Sequence, residues 1–255
     1  MPKIKKNVKK SLIGIMICLL FVVLLICANY LSMLLISPTE KASTSLSSNS
    51  LSVYAISLAR SPTSLGAESL ASDYRKIGSG GFVLEQEDGF HVISSAYLNK
   101  SDAELVKNSI EQNQNIQASI IEFSVPQISV SLSLDSEEKK VLQKALNAHE
   151  NAYRLLFDIA LSLDTNVYNE ISARLAINSA FSEINTIVSD YKILFKEVEA
   201  LNTFTEALDN LANNMQKLCS GITITSGQTL SSLVKYRYCE ILQADKVLCE
   251  NFNVS

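Results

Sequence analysis

The side chains that could carry out catalysis are few in this sequence. It contains two histidines, His91 and His149, and none of the G-x-S-x-G, H-E-x-x-H, P-loop or G-x-G-x-x-G motifs. A pair of carboxylates would suffice for glycoside hydrolysis, and Glu85, Glu87 and Asp88 are close in sequence, but they flank a predicted turn, where acids usually serve solvation. The sequence therefore predicts a protein that is not an enzyme and uses no cofactor.

The cysteines and histidines also argue against a metal centre. Outside the first 36 residues there are three cysteines, Cys219, Cys239 and Cys249, and no C-x-x-C or Cys/His cluster. An odd number excludes a complete disulfide framework in a secreted segment but leaves one pair open. We expect no structural zinc site.

Alternating and helical patterns over residues 51–125 indicate a small α+β module. Strands are predicted at about 52–59, 81–86 and 90–97 and over 116–123, with Asp88-Gly89 as a hairpin signal between the middle two. Helices are predicted at about 63–77 and from Ser101, which begins the capping-box sequence S-D-A-E. The order β-α-β-β-α-β is that of a ferredoxin-like split βαβ fold, an antiparallel four-stranded sheet with both helices on one face.

Two segments of this module resemble the SPOR (sporulation-related repeat) family over roughly residues 52–124. They are Y-A-I-S-L-A-R-S, Tyr54 to Ser61, and F-H-V-I-S-S-A-Y, Phe90 to Tyr97, each followed by a helix of similar pattern. The resemblance implies binding of peptidoglycan, in particular of glycan strands stripped of stem peptides, across the open face of the sheet. It also implies a role in bacterial cell division or sporulation.

Strand alternation selects candidate glycan-binding residues within this module. If Tyr54, Ile56 and Phe90 point toward the helices, the intervening residues of both strands lie on the open face. Sugars are met by hydroxyls, amides and flat side chains, so we select Ser57, Arg60, His91, Ser95 and Tyr97. The alternative is that these residues form only a solvated sheet face.

The second half of the chain, residues 136–252, predicts a separate helical bundle. Asp135 to Glu138 signal a helix start, and apolar residues then recur at helical spacing as far as Leu248. The 4-3 spacing along a long helix at about 167–201 is typical of a coiled-coil-like seam. We interpret these apolar faces as core, with contact to envelope or division proteins, or self-association, as the alternatives.

The N-terminus predicts membrane attachment. A basic tail at 1–10 with five lysines precedes an apolar segment at 11–36, which is long enough for a transmembrane helix and places the N-terminus in the cytoplasm. A cleaved signal peptide and a lipoprotein signal are less favoured alternatives. Residues 37–50 are Ser-rich and predict a flexible linker.

The charge distribution adds one exclusion. The net charge is −4, so the chain after the five N-terminal lysines carries −9, which disfavours nucleic acid as a partner. The sequence thus predicts a single-pass cell-membrane protein, with the lipid bilayer and denuded glycan strands as partners and the bulk of the chain extracytoplasmic. The alternative is an envelope scaffold or sensor subunit whose SPOR-like module does not bind glycan.

Overall fold

A computed structural model describes residues 42–220 and 227–252, which form six strands and seven helices. The strands are β1 (Ala42–Ser47), β2 (Leu51–Ser61), β3 (Phe82–Gln86), β4 (Gly89–Tyr97), β5 (Ser119–Val125) and β6 (Ser129–Leu134). The helices are α1 (Ser64–Lys76), α2 (Lys100–Gln114), α3 (Ser136–Leu146), α4 (Ala148–Asp164), α5 (Glu170–Phe195), α6 (Asn202–Cys219) and α7 (Leu230–Phe252), with a 3₁₀ turn at Glu199–Leu201.

The larger sheet is antiparallel and has the strand order β3-β4-β2-β5. Ile56 and Leu58 of β2 pack with Ala103 of α2, and Val92 of β4 packs with Ala67 and Ala71 of α1, so both helices cover one face. Small alanines at these contacts let each helix approach the strands closely. The element order within 51–125 is the one that the sequence pattern indicated, although Asn99, rather than Ser101, caps α2.

The second sheet pairs β1 with β6, in register from Ala42↔Leu134 to Ser47↔Ser129. It corrects part of the predicted linker, because residues 42–47 form a strand. The Ser-rich composition hid an alternation in which Thr44 and Leu46 share a side of β1 with the residues opposite them, Leu132 and Val130. Val130 and Leu134 are buried, and the Ile128 amide donates to Ser48 Oγ at 2.9 Å.

The helices of the second half do not form a separate bundle. One continuous core joins Val53, Ala55 and Ile93 of the sheet to buried residues of α3 through α7. Tyr153 of α4 donates a hydrogen bond from its hydroxyl to Ala96 O at 3.0 Å, and α7 contacts β3, β4 and β5. The sheet therefore lies between two helical layers, α1 and α2 on one face and α4 and α7 on the other.

The predicted fold class, a transmembrane helix followed by a ferredoxin-like module and a helical bundle, is wrong. The described chain is an α+β fold with seven helices and two small sheets that share a core. Within 42–220 and 227–252, no helix is long and apolar enough to cross a membrane. The basic tail at 1–10, the span at 11–36 and the first residues of the linker lie outside the described residues.

Candidate ligand-binding cleft

A polar cleft lies where β5 stops accompanying β2. The pairing of these strands ends at Ser57↔Ser119, so the register gives Leu58 to Ser61 no partner in β5. The chain of α2 ends at Asn115, whose left-handed backbone (φ 53°) turns residues 115–118 toward this gap. The resulting cleft has a volume of about 690 Å³ and is lined by Ser57, Leu58, Ala59, Arg60, Tyr74, Asp88, His91, Asn115, Ile116, Gln117, Ala118 and Ser119.

Four of the lining side chains form a continuous hydrogen-bonded chain. Ser57 Oγ lies 3.1 Å from His91 Nδ1, and His91 Nε2 lies 2.8 Å from Asp88 Oδ1. The other oxygen of that carboxylate, Oδ2, accepts a hydrogen bond from Arg60 Nη1 at 2.7 Å. We call this chain, Ser57–His91–Asp88–Arg60, the relay. It contains three of the five residues predicted from the sequence.

The hairpin and the strand register hold the relay together. Arg60 and His91 are directly opposite each other in the β2–β4 ladder. The two-residue turn at Glu87 and Asp88 connects β3 to β4, since Gln86 pairs with Gly89, and Gly89 has a φ of 131°. A backbone at that angle favours glycine, and it returns the chain so that Asp88 and His91 are three residues apart and in contact.

The charge of Asp88 fixes the roles along the relay. The hydrogen bond from His91, followed by the one from Arg60, lowers the pKa of Asp88 from 3.8 to about 2. An ionised carboxylate only accepts hydrogen bonds, so His91 carries a proton on Nε2. When the imidazole is neutral, Nδ1 is then an acceptor facing the Ser57 hydroxyl, which also lies 3.1 Å from Ala59 O.

A β-bulge separates Ser95 and Tyr97 from the other predicted residues. Ile56 pairs with Ser95, but the next residue, Ser57, pairs with Ile93, so Ser94 is skipped. The extra residue changes the parity of β4, which puts Ser95 on the face of α1 and α2 and corrects its predicted place on the open face. Ser95 and Tyr97 line a second polar pocket, of about 440 Å³, beside α2.

Two charged side chains from the layer of α4 and α7 line the second pocket. Ser95 Oγ donates to the Tyr97 hydroxyl at 3.3 Å, and burial raises the pKa of Tyr97. Lys235 of α7 bridges Asp164 Oδ2 (2.6 Å) and Gly78 O (3.0 Å) at its rim. Leu58 lines both this pocket and the cleft, so the two cavities are neighbours.

The predicted glycan contact across the open sheet face is excluded by the fold. That face carries Ala55, Ile93 and Ala96, which are buried at 1–2% exposure under α4 and α7. Ser57 and His91 share this side of the sheet by register and are also largely buried, at 3% and 8%. Their access to solvent is through the cleft at the sheet edge.

The sequence pattern indicated Asp88 only as one acid of a turn, and Asn115 and Gln117 were not among the predicted site residues. Of the three turn acids, Asp88 alone lines the cleft, which does not contain the carboxylate pair considered for glycoside hydrolysis. A signal was present, since an acid three residues before a histidine across a tight turn brings the two side chains together. The described part of the chain holds no group of three His, Cys, Asp or Glu side chains suited to a metal ion.

The other histidine lies in the core, away from the cleft. His149 of α4 is 4% exposed, and burial lowers its pKa to about 4. Its Nδ1 is 3.8 Å from Asp245 Oδ1 of α7, where burial and then the charge of Glu150 raise the pKa of the carboxyl to about 7. The nearby Cys249, like Cys219 and Cys239, is a free thiol, so no disulfide joins these three residues.

Comparison with known proteins identifies no relative. The chain matches no known protein family, no curated protein and no solved structure. The resemblance to the SPOR family therefore stays a prediction from the sequence.

Proposed function

We propose that this protein binds glycan strands of the peptidoglycan type, and that the cleft at the edge of β2 is the binding site. The observation that carries the proposal is the set of polar groups around the cleft. It offers a guanidinium, a carboxylate, an imidazole, two amides and a hydroxyl within one cavity, from Arg60, Asp88, His91, Asn115, Gln117 and Ser119. Such a mixture of donors and acceptors matches the hydroxyl and acetamido groups of amino sugars.

Arg60 has hydrogen-bond donors that the fold leaves available to a ligand. Its side chain is 57% exposed, and only Nη1 bonds to Asp88, so other guanidinium N–H groups face solvent. A guanidinium presents five donors in a rigid fork, which suits the carboxylate that a glycan strand exposes where a stem peptide has been removed. Tyr74 adds a flat ring at the same rim.

This mode of binding differs from contact across a sheet face. The ligand would lie along the edge of β2 at Leu58 to Ser61, over the relay, with the loop at 115–118 on its other side. Because glycan strands of the wall lie outside the cytoplasm, the proposal places the described domain on the extracytoplasmic side. A role in cell division or sporulation would follow if such strands are exposed during those processes.

Retention on purified sacculi tests the proposal. The full chain is incubated with sacculi that have or have not been treated with an amidase, and the bound fraction is measured. We expect retention after amidase treatment, and Arg60→Ala and Gln117→Ala should each weaken it by about 10-fold, the effect of losing roughly 1–2 kcal/mol of contact.

Arg154→Ala is the matched control, because Arg154 is also an exposed arginine paired with a carboxylate, Glu150 at 2.7 Å, on α4 outside the cleft. This variant should bind as the unchanged protein does. Absence of retention by the unchanged chain, or equal losses in Arg60→Ala and Arg154→Ala, would contradict the proposal.

A second candidate function is an envelope scaffold, and one surface feature favours it. Ile171 and Leu175 are spaced by four residues near the start of α5 and are 73% and 67% exposed, and Val167, just before the helix, is 72% exposed. A row of exposed apolar side chains one helical turn apart is a typical contact for a partner helix. A photocrosslinker at Ile171 should then capture an envelope protein, whereas one at the exposed polar Glu183 of the same helix should not.

A further inference from the structure

The relay meets the geometric requirements of an activated serine nucleophile. Such a site needs a hydroxyl within hydrogen-bond reach of a base, and a third group that orients the base. Ser57 Oγ is 3.1 Å from His91 Nδ1, and Asp88 holds the opposite ring nitrogen at 2.8 Å. All three side chains line one cavity.

From this geometry we propose that Ser57, His91 and Asp88 form a catalytic triad that hydrolyses esters with a small acyl group. The activity goes beyond glycan binding, and it rests on the proposed function only for the alcohol part of the substrate, which would be a sugar. The order of the ring nitrogens is the reverse of the common serine hydrolase arrangement, with Nδ1 facing the serine. The roles are unchanged, since either ring nitrogen accepts a proton when the other carries one.

The depth of Ser57 limits the acyl group. The residue is 3% exposed and is flanked by Leu58 and Ala59, so a carbonyl carbon reaches Oγ only if the acyl part is small, such as acetyl. The rest of the cleft is polar, so the alcohol part is expected to be polar as well. An O-acetylated sugar has both properties.

The reaction balances within this constellation. Ser57 Oγ attacks the ester carbonyl carbon while its proton passes to His91 Nδ1, and the alcohol oxygen leaves with that proton as its bond to carbon breaks. Water then attacks the acyl-serine, giving a proton to Nδ1, and the acid departs as Ser57 Oγ recovers it. The positive charge on the imidazole at each stage is stabilised by ionised Asp88.

Negative charge on the carbonyl oxygen needs donors in the same cavity. Arg60 is oriented by its bond to Asp88, and the side-chain amides of Asn115 and Gln117 line the opposite side of the cleft. The proposal assigns the oxyanion to these N–H groups, since preorganised donors supply much of the rate in acyl transfer. Ser57 and His91 lie on strands and Asp88 lies in a hairpin turn, so no single short sequence motif contains all three.

Two measurements on the full chain test the inference. The first is labelling with dimethyl fluorophosphate, whose small substituents suit the depth of Ser57, followed by peptide mass spectrometry to locate the adduct. The second is hydrolysis of p-nitrophenyl acetate by the unchanged protein and by Ser57→Ala, His91→Gln, Asp88→Asn and Ser124→Ala. Ser124 is an exposed serine on β5 outside the cleft and serves as the control.

We expect the adduct on Ser57, and a fall of at least about 100-fold in kcat/KM for Ser57→Ala and His91→Gln, with Ser124→Ala unchanged. An absent or different adduct, or hydrolysis by Ser57→Ala within about 3-fold of the unchanged protein, overturns the inference. The labelling does not require any variant to fold. Because p-nitrophenyl acetate contains no sugar, hydrolysis can succeed or fail independently of retention on sacculi.

Discussion

The buried carboxyl of Asp245 should make the stability of this protein decrease as pH rises, and Asp245→Asn should remove that loss. Asp245 lies in α7 against α4, with its side chain 13% exposed. Burial, with the charge of Glu150 as the second cause, raises its pKa from 3.8 to about 7. His149, 3.8 Å away, offers no compensating charge near neutral pH, because its own pKa is lowered to about 4.

The sign follows from proton binding. A carboxyl that binds protons more tightly in the folded than in the unfolded state favours folding below pH 3.8, and this contribution is lost as pH rises through about 7. A difference between 3.8 and about 7, at about 1.36 kcal/mol for each tenfold change in proton affinity, is roughly 4 kcal/mol. Relaxation around the carboxylate reduces this, so we expect about 2–3 kcal/mol at pH 8.5.

Asparagine has nearly the same shape and cannot ionise, so the variant should gain most at high pH. Urea unfolding under reducing conditions at pH 4.5, 6.5 and 8.5 measures the free energy of unfolding of each protein. We expect Asp245→Asn to exceed the unchanged chain by about 2–3 kcal/mol at pH 8.5 and by less than about 1 kcal/mol at pH 4.5.

Asp190→Asn, at an exposed position on α5, should have no such pH-dependent effect. The reasoning is refuted if Asp245→Asn is not more stable at pH 8.5, or if its gain is the same at all three pH values. A uniform gain would mean that the substitution acts through packing or helix propensity rather than through the ionised carboxylate.

Three further substitutions and one control test the packing, a turn and a helix cap by urea unfolding. Leu156→Ala, at a fully buried position of α4, should cost about 2–5 kcal/mol, whereas Leu161→Ala, half-exposed on the same helix, should cost less than about 1 kcal/mol; equal costs would contradict the assigned core. Gly89→Ala should cost about 1–3 kcal/mol, because of the positive φ and because the added Cβ would lie 2.8 Å from Ser61 O, and an unchanged free energy of unfolding would exclude that turn. Asp135→Ala should cost about 1 kcal/mol by removing the capping box of α3, and should leave the other helices intact by circular dichroism.

Local patterns in the sequence were sufficient for the elements of residues 51–125 but not for what covers them. Alternation in Tyr54 to Leu58 and the Asp88-Gly89 hairpin signal locate β2 and the β3–β4 hairpin because these signals depend on neighbouring residues. That the open face is buried depends on contacts between residues distant in sequence, such as Ala96 with Tyr153. In a strand composed of alanines and serines, a face that packs against a second helical layer and a face exposed to solvent have similar sequence patterns.

Only part of the candidate site could be predicted, again because the signals in the sequence are local. Ser57 and His91 were selected from strand parity, which holds on either side of a bulge but not across it, and Arg60 was selected as a residue at the edge of that face. The bulge at Ser94 has no proline or glycine to mark it, so Ser95 and Tyr97 were assigned to the open face rather than to the side of α1 and α2. Asn115 and Gln117 reach the cleft only because β5 begins at Ser119, a boundary that the pattern of the strand does not fix.

The pairing of β1 with β6 determines how mechanical load would reach the site. The chain enters the described fold at Ala42, and before it reaches β2 it is joined along six residues to the strand that leads into α3. A pull on the N-terminal side of Ala42 is therefore borne first by the β1–β6 ladder and passed to α3, while β2 lies beyond that ladder. The two-stranded sheet therefore bears tension first, and β1 must separate from β6 before the force displaces Ser57 and Arg60.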